Sequence, residues 1–190
     1  MEKLRLQLLQ LSKEIPATFE QISNIAAIVG QLGISGDQIR DFTKTIALLG
    51  VTTNLSTEEA AFALSRFQTQ LKVSGQDIDN VGSVIVALGN NFATTERDII
   101  AFAERITGIG SIVGLTAQEV LAISTAFASV GIEAEAGGTA VQKAFLDINT
   151  AVNTGSKDLQ RFATIAGMTA QDFSTLFRED AGVAFQKFVQ

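Results

Sequence analysis

The sequence predicts an all-α protein: repeated antiparallel helical hairpins, about 40 residues per repeat, forming a compact or solenoid-like bundle. Three observations predict it. First, a helix-start pattern recurs as Ser35-Gly36-Asp37-Gln38-Ile39, Ser74-Gly75-Gln76-Asp77-Ile78, Thr116-Ala117-Gln118-Glu119-Val120 and Thr169-Ala170-Gln171-Asp172-Phe173. In each copy a hydroxyl residue stands three positions before an acid or amide. At that spacing the hydroxyl accepts from an early backbone N–H and the later side chain reaches back. Second, an apolar run ends in glycine about eleven residues later in the first three copies, at Gly50, Gly89 and Gly131, as at a helix C-terminus. Third, apolar residues fall at helical spacing, and strand-like alternation persists nowhere.

These signals place helices at about 2–13, 16–31, 35–50, 56–72, 75–90, 95–108, 116–131, 137–153, 156–166, 169–178 and 180–189. Pro16, the only proline, opens the second, because a first-turn residue needs no N–H partner. Ser35 and Ser74 start the third and fifth. Ser56-Thr57-Glu58-Glu59 and Thr95-Glu96-Arg97-Asp98 start the fourth and sixth, with acids in the positive first turn. Ala60, Phe62, Ala63, Phe67 and Leu71 give the fourth its apolar side. Residues 106–115, with Gly108, Gly110 and Gly114, read as a loop or frayed end. Thr116 starts the seventh helix, and Gly137-Gly138-Thr139 starts the eighth. The stripe Val141, Ala144, Phe145, Ile148 and Val152 continues that eighth helix. Short links imply antiparallel neighbours. One domain over 1–190 is expected, with hairpins at about 35–72, 74–110 and 116–153 and a C-terminal part at 156–190.

Composition narrows the function. The chain has 190 residues, 46% hydrophobic, enough for a real core, and a net charge of −6. Its 14 basic residues are scattered, so no patch offers itself to a phosphate backbone and no specific nucleic-acid binding is expected. Cys and His are both absent, which removes thiolate nucleophiles, imidazole bases and the usual zinc ligands. No cofactor or metal is expected. Trp and Tyr are also missing, while Phe occurs 13 times. The opening Met1-Glu2-Lys3-Leu4-Arg5-Leu6-Gln7 mixes charges into its apolar residues and does not read as a signal peptide. The longest uncharged runs, residues 21–36 and 80–95, are short of the roughly 20 residues a membrane span needs.

Several stretches resemble one known family. Val86-Ala87-Leu88-Gly89-Asn90-Asn91-Phe92-Ala93-Thr94-Thr95-Glu96 is similar to the core region of phage tail tape-measure proteins. So is Ala126-Phe127-Ala128-Ser129-Val130-Gly131-Ile132-Glu133-Ala134-Glu135-Ala136-Gly137-Gly138-Thr139-Ala140, whose segment from Gly131 is the most specific. Leu48-Leu49-Gly50-Val51-Thr52-Thr53-Asn54-Leu55-Ser56-Thr57-Glu58-Glu59-Ala60-Ala61 and Ile165-Ala166-Gly167-Met168-Thr169-Ala170 fit as well. The resemblance runs from about Leu11 to the C-terminus.

It implies a structural virion protein lying inside the tail tube, made in the host cytoplasm. Such proteins set tail length during assembly and leave at genome delivery. Their partners are the tail-tube protein, tail-tip proteins and tail assembly chaperones. Self-association and contact with the host membrane during delivery are further partners to test. No catalytic residue is attributed to this region. Whole tape measures are many times longer, whereas 190 residues of continuous helix reach only about 285 Å. The chain is therefore expected to be a module of a longer protein, or else a short prophage protein. The alternatives are a helical-repeat scaffold that binds a partner protein, and a membrane-active helical protein.

Candidate chemistry is sparse. Gly108-Ile109-Gly110-Ser111-Ile112-Val113-Gly114 misses the spacing of a phosphate loop, and no strand precedes it. Ser12-Lys13 and Ser156-Lys157 are sequence neighbours that diverge by about 100° on a helix, so neither reads as a catalytic dyad. Glu133 and Glu135 read as solvated charges, lacking the further oxygens of a calcium loop. The candidate interaction loop is Ile132, Glu133, Glu135, Gly137, Gly138 and Thr139, where the family resemblance is sharpest. Phe62, Phe67, Phe102, Phe127, Phe145, Phe162 and Phe173 are expected in the core, with a face for other copies as the alternative.

Overall fold

Helix ends organise this chain, and most of them are of two kinds. At one kind a left-handed residue follows the helix: Gly33 (φ 84°), Lys72 (φ 56°), Gly114 (φ 84°), Gly131 (φ 80°), Gly155 (φ 63°) or Gly167 (φ 68°). After each of these glycines the next residue folds its N–H back five positions, as in Ile34 to Val29 O, Leu115 to Gly110 O (2.8 Å) and Met168 to Ala163 O (2.8 Å), and after Lys72 the Val73 N–H reaches Phe67 O, six positions back. This hydrogen-bond pattern closes the carbonyl end of a helix and needs φ > 0, which suits glycine. Lys72 adopts the conformation without being glycine. At the other kind the chain leaves the helix extended, at Thr53 (φ −130°) and Phe92 (φ −121°), and a hydroxyl soon caps the next helix.

The computed structural model describes residues 2–190, leaving only Met1 of the opening run outside the described residues. Eleven helices stand among them: α1 Glu2–Glu14, α2 Phe19–Gln31, α3 Ile39–Thr52, α4 Thr57–Gln70, α5 Ile78–Asn91, α6 Glu96–Val113, α7 Ala117–Ala128, α8 Ala134–Thr154, α9 Lys157–Ile165, α10 Ala170–Glu179 and α11 Ala181–Val189. The all-α expectation holds. Ser56 and Thr116 close full capping boxes with Glu59 and Glu119, and Thr95 and Thr169 cap through Asp98 N and Asp172 N.

Five local expectations give way to tertiary packing. Pro16 lies in the link before α2, whose cap is Thr18. Ser35 and Ser74 each head a single turn, so α3 and α5 begin four residues later, after Gln38 and Asp77. Gly50 and Gly89 sit inside helices that run on to Thr52 and Asn91. Residues 106–113 are helix, because Ile106, Ile109 and Gly110 are buried in phase with Ile99, Phe102 and Ala103. The eighth helix begins at Ala134 instead of near Gly137.

From α1 to α8 each helix packs on the next and on the next but one. The odd-numbered helices α1, α3, α5 and α7 thus form one layer, and α2, α4, α6 and α8 form the other. Ion pairs cross between same-layer neighbours: Arg40–Glu14 (4.0 Å), Lys44–Asp79 (3.6 Å), Arg66–Glu104 (3.5 Å), Arg97–Glu59 (3.1 Å) and Arg105–Glu135 (3.9 Å). All are solvent-exposed or half-exposed, so each contributes about 0–1 kcal/mol and mainly fixes register. The core between the layers carries the stability. Phe42, Ile46, Leu64, Phe67, Ile78, Ile85, Ile99 and Phe102 are fully buried there.

The stack ends in phenylalanine. The short helices α9, α10 and α11 pack on one another, and α9 and α10 also lie on α8. Phe185 of α11 stacks on Phe145 of α8 at 4.2 Å and reaches Phe127 of α7 at 6.5 Å. Phe127 in turn stacks on Phe102 of α6 at 5.6 Å, and Phe145 meets Phe177 of α10 at 6.5 Å. Offset aromatic contacts add about 0.5–1.5 kcal/mol each beyond area burial. Phe62 departs from the core expectation: it is half exposed, one position off the buried side of α4.

Candidate interaction surface

The turn from α7 to α8 is built in three steps. Gly131 takes φ 80°, Ile132 N–H donates to Phe127 O at 3.2 Å, and Glu133 becomes the extended residue before α8. Of the sequence-selected residues, only Ile132 and Glu133 lie in this connection. Glu135, Gly137, Gly138 and Thr139 belong to the first turns of α8.

Gly137 and Gly138 are buried. A Cβ on Gly137 would collide with Ile132 Cγ2 and come within 2.9 Å of the Phe102 ring. On Gly138 it would lie 2.6 Å from Arg105 Cβ. Their chemistry is therefore backbone approach: they seat α8 on α6. The outward part of the segment is Val130, Ile132, Glu133, Glu135 and Thr139. Glu135 pairs with Arg105, and the Thr139 hydroxyl donates to Glu135 O at 2.7 Å. The phase of the stripe could have found this: stepping back from Val141 by three, four and seven residues reaches Gly138, Gly137 and Ala134.

The two layers present unlike outer faces. On the even-numbered side, a groove of about 500 Å³ between α4 and α6 is lined by Phe62 and Ile100 together with Glu58, Glu59, Arg66, Arg97 and Glu104. On the odd-numbered side, a groove of about 330 Å³ between α7 and α11 is lined by Ala122, Ala126, Phe127, Val183 and Val189, with Glu119 as its charged residue.

Arg97 was not legible as important in the sequence. Its backbone N–H donates to Asn54 Oδ1 (3.1 Å), and its guanidinium donates to Asn54 O (2.9 Å) and Glu59 Oε2 (3.1 Å). It ties the α3–α4 link to the start of α6 across 43 residues. The Ser56 backbone N–H and hydroxyl hold the Glu59 carboxyl below its usual range, and Arg97 adds to this. Arg178 similarly donates to Val152 O at 3.1 Å, anchoring α10 to the carbonyl end of α8.

The Ser12 hydroxyl donates to Leu9 O rather than to Lys13, and Ser156 stands at the start of α9 without a side-chain cap hydrogen bond. Among the described residues, no three acidic side chains converge as a metal site would require, and no helix is long and apolar enough to cross a membrane. Caps, ion pairs between stacked helices and apolar grooves define a helical packing module.

The chain belongs to the phage-related minor tail protein family, whose sequence profile matches residues 5–190. It is also 23% identical over 177 residues to a protein of Halomonas phage phiHAP-1 described as "Probable tape measure protein", across 89% of this chain. The chain spans 20% of that relative's length. No solved structure matches. Family membership places the chain among phage tail proteins.

Proposed function

We propose that this chain is the folded core module of a tape-measure protein, which sets tail length during assembly and is released at genome delivery. The observation that carries the reading is the similarity to the Halomonas phage protein over 89% of the chain. The fold supports a division of labour. The longest helix, α8, has 21 residues and reaches about 32 Å at 1.5 Å per residue. A stack of such short helices serves as a compact block in contact with the tube protein, tip proteins or assembly chaperones, while long uninterrupted helix supplies the ruler. The block acts as one unit, with hairpins at about 35–72, 74–110 and 116–153 and a C-terminal part at 156–190. Val130, Ile132, Glu133, Glu135 and Thr139 form its candidate contact corner.

The test is an in-frame deletion of the segment that encodes residues 2–190 of this sequence, read by electron microscopy and plating. Tails that fail to assemble, or that assemble at full length but do not infect, support the reading. Infectious phage with tails shortened by up to about 285 Å would show an extended ruler segment instead and overturn it.

A further inference from the structure

The shortest link among the described helices is the single residue Asp180 between α10 and α11. Asp180 serves both sides. Its N–H donates to Leu176 O (2.7 Å), closing α10, and its carboxylate accepts from Val183 N–H (2.8 Å), opening α11. Its backbone, at φ −152° and ψ 89°, is non-helical.

The apolar pattern takes no notice of the bend. Phe173, Phe177, Ala181, Ala184 and Phe185 are buried, with Phe188 half buried. Their successive spacings of four, four, three, one and three residues keep all six on one side of a single continuous amphipathic helix over 170–189. Straightening Asp180 would pair the N–H groups of Ala181, Gly182 and Val183 with Phe177 O, Arg178 O and Glu179 O, as in any uninterrupted helix. The Asp180 cap and the seat of α11 oppose this. In that seat Phe185 lies on Phe145 and Phe127, and Gly182 lies against Glu119.

We propose that Asp180 is a hinge through which α11 exchanges between two copies of this chain. The fused 170–189 helix of each copy places Phe185 on Phe127 and Phe145 of the other. Reciprocal exchange re-forms every contact of α11 except the bend itself, so the hinge residue sets the balance between folded-back monomer and exchanged dimer. The loss of one cap shifts such an equilibrium by about fivefold, and the two hinges of a dimer by about thirtyfold.

The experiment is size-exclusion chromatography with light scattering over a range of protein concentrations, with helicity followed by circular dichroism. Asp180→Ala should lower the dimer dissociation constant by about thirtyfold or more, and Asp180→Asn, which keeps a cap, should resemble the parent. Asp180→Glu keeps the charge, loses the short cap and favours helix, so it should dimerise like Asp180→Ala. Adding Ala181→Pro should restore the monomer. Proline is tolerated at the first position of α11 and is excluded from the interior of a fused helix. The proposal is overturned if Asp180→Ala and Asp180→Glu stay monomeric, if both lose native helicity, or if their dimers survive Ala181→Pro.

Discussion

Glycine has opposite values at two places in adjoining helices, and the difference measures the seat of α8 on α6. Gly108 is exposed inside α6, and a Cβ there would meet nothing nearer than Gln70 Oε1 at 4.0 Å. Gly108→Ala should therefore stabilise the protein by about 0.5–1 kcal/mol, the ordinary gain in helix propensity. Gly138, inside α8, offers the same gain, but its Cβ would stand 2.6 Å from Arg105 Cβ and 3.0 Å from Arg105 Cγ. Carbon atoms pack at about 3.5–4.0 Å, so the two helices must part by about 1 Å. Overpacking of this kind costs about 1–3 kcal/mol. Gly138→Ala should thus be neutral to about 2 kcal/mol destabilising, and should lie about 1–3 kcal/mol below Gly108→Ala. For a chain of this length 1 kcal/mol shifts Tm by about 2–4 °C. Thermal unfolding followed by circular dichroism should raise Tm for Gly108→Ala and leave it level or lower it for Gly138→Ala. Equal stabilisation by both would refute the close approach of α8 to α6.

Three further outcomes follow from particular contacts. Phe145 is fully buried and stacked on Phe185, so Phe145→Ala should cost about 3–5 kcal/mol in urea unfolding; a loss under 1 kcal/mol would mean that the aromatic junction is not packed as described. Lys72→Gly should stabilise by about 0.5–1 kcal/mol, because a left-handed lysine is costly and glycine's extra freedom in the unfolded chain offsets only part of the relief. An unchanged or lower Tm would contradict the φ of 56°. The lowered Glu59 carboxyl gives stability that is full above its unfolded pKa near 4.5 and lost as pH falls through the folded value. Glu59→Gln should therefore flatten the decline of Tm below about pH 4.5, and an unaltered slope would count against the Ser56 and Arg97 contacts.

The sequence alone determined that this protein is helical and where many helices start. Ser56, Thr95, Thr116 and Thr169 all cap as their spacing demands, because a cap closes within one turn and needs no partner elsewhere in the chain. The stripe Val141, Phe145, Ile148 and Val152 is buried for a similarly local reason. Tertiary structure decided what each glycine means. Gly114 and Gly131 end helices through a left-handed backbone, whereas Gly110, Gly137 and Gly138 lie inside helices where a neighbour comes too close for a side chain. Composition cannot tell these apart, since the difference lies in what stands opposite: Val120 for Gly110, Phe102 and Arg105 for the pair in α8. For that reason Gly137 and Gly138 read as a helix start within a candidate interaction loop at Ile132, Glu133, Glu135, Gly137, Gly138 and Thr139. Its glycines answer to α6, and its exposed corner is Val130, Ile132, Glu133, Glu135 and Thr139. The same limit hid the seat of α11, because the apolar period is continuous across Asp180, and packing against Phe127 and Phe145 acts with the Asp180 cap to turn the chain back.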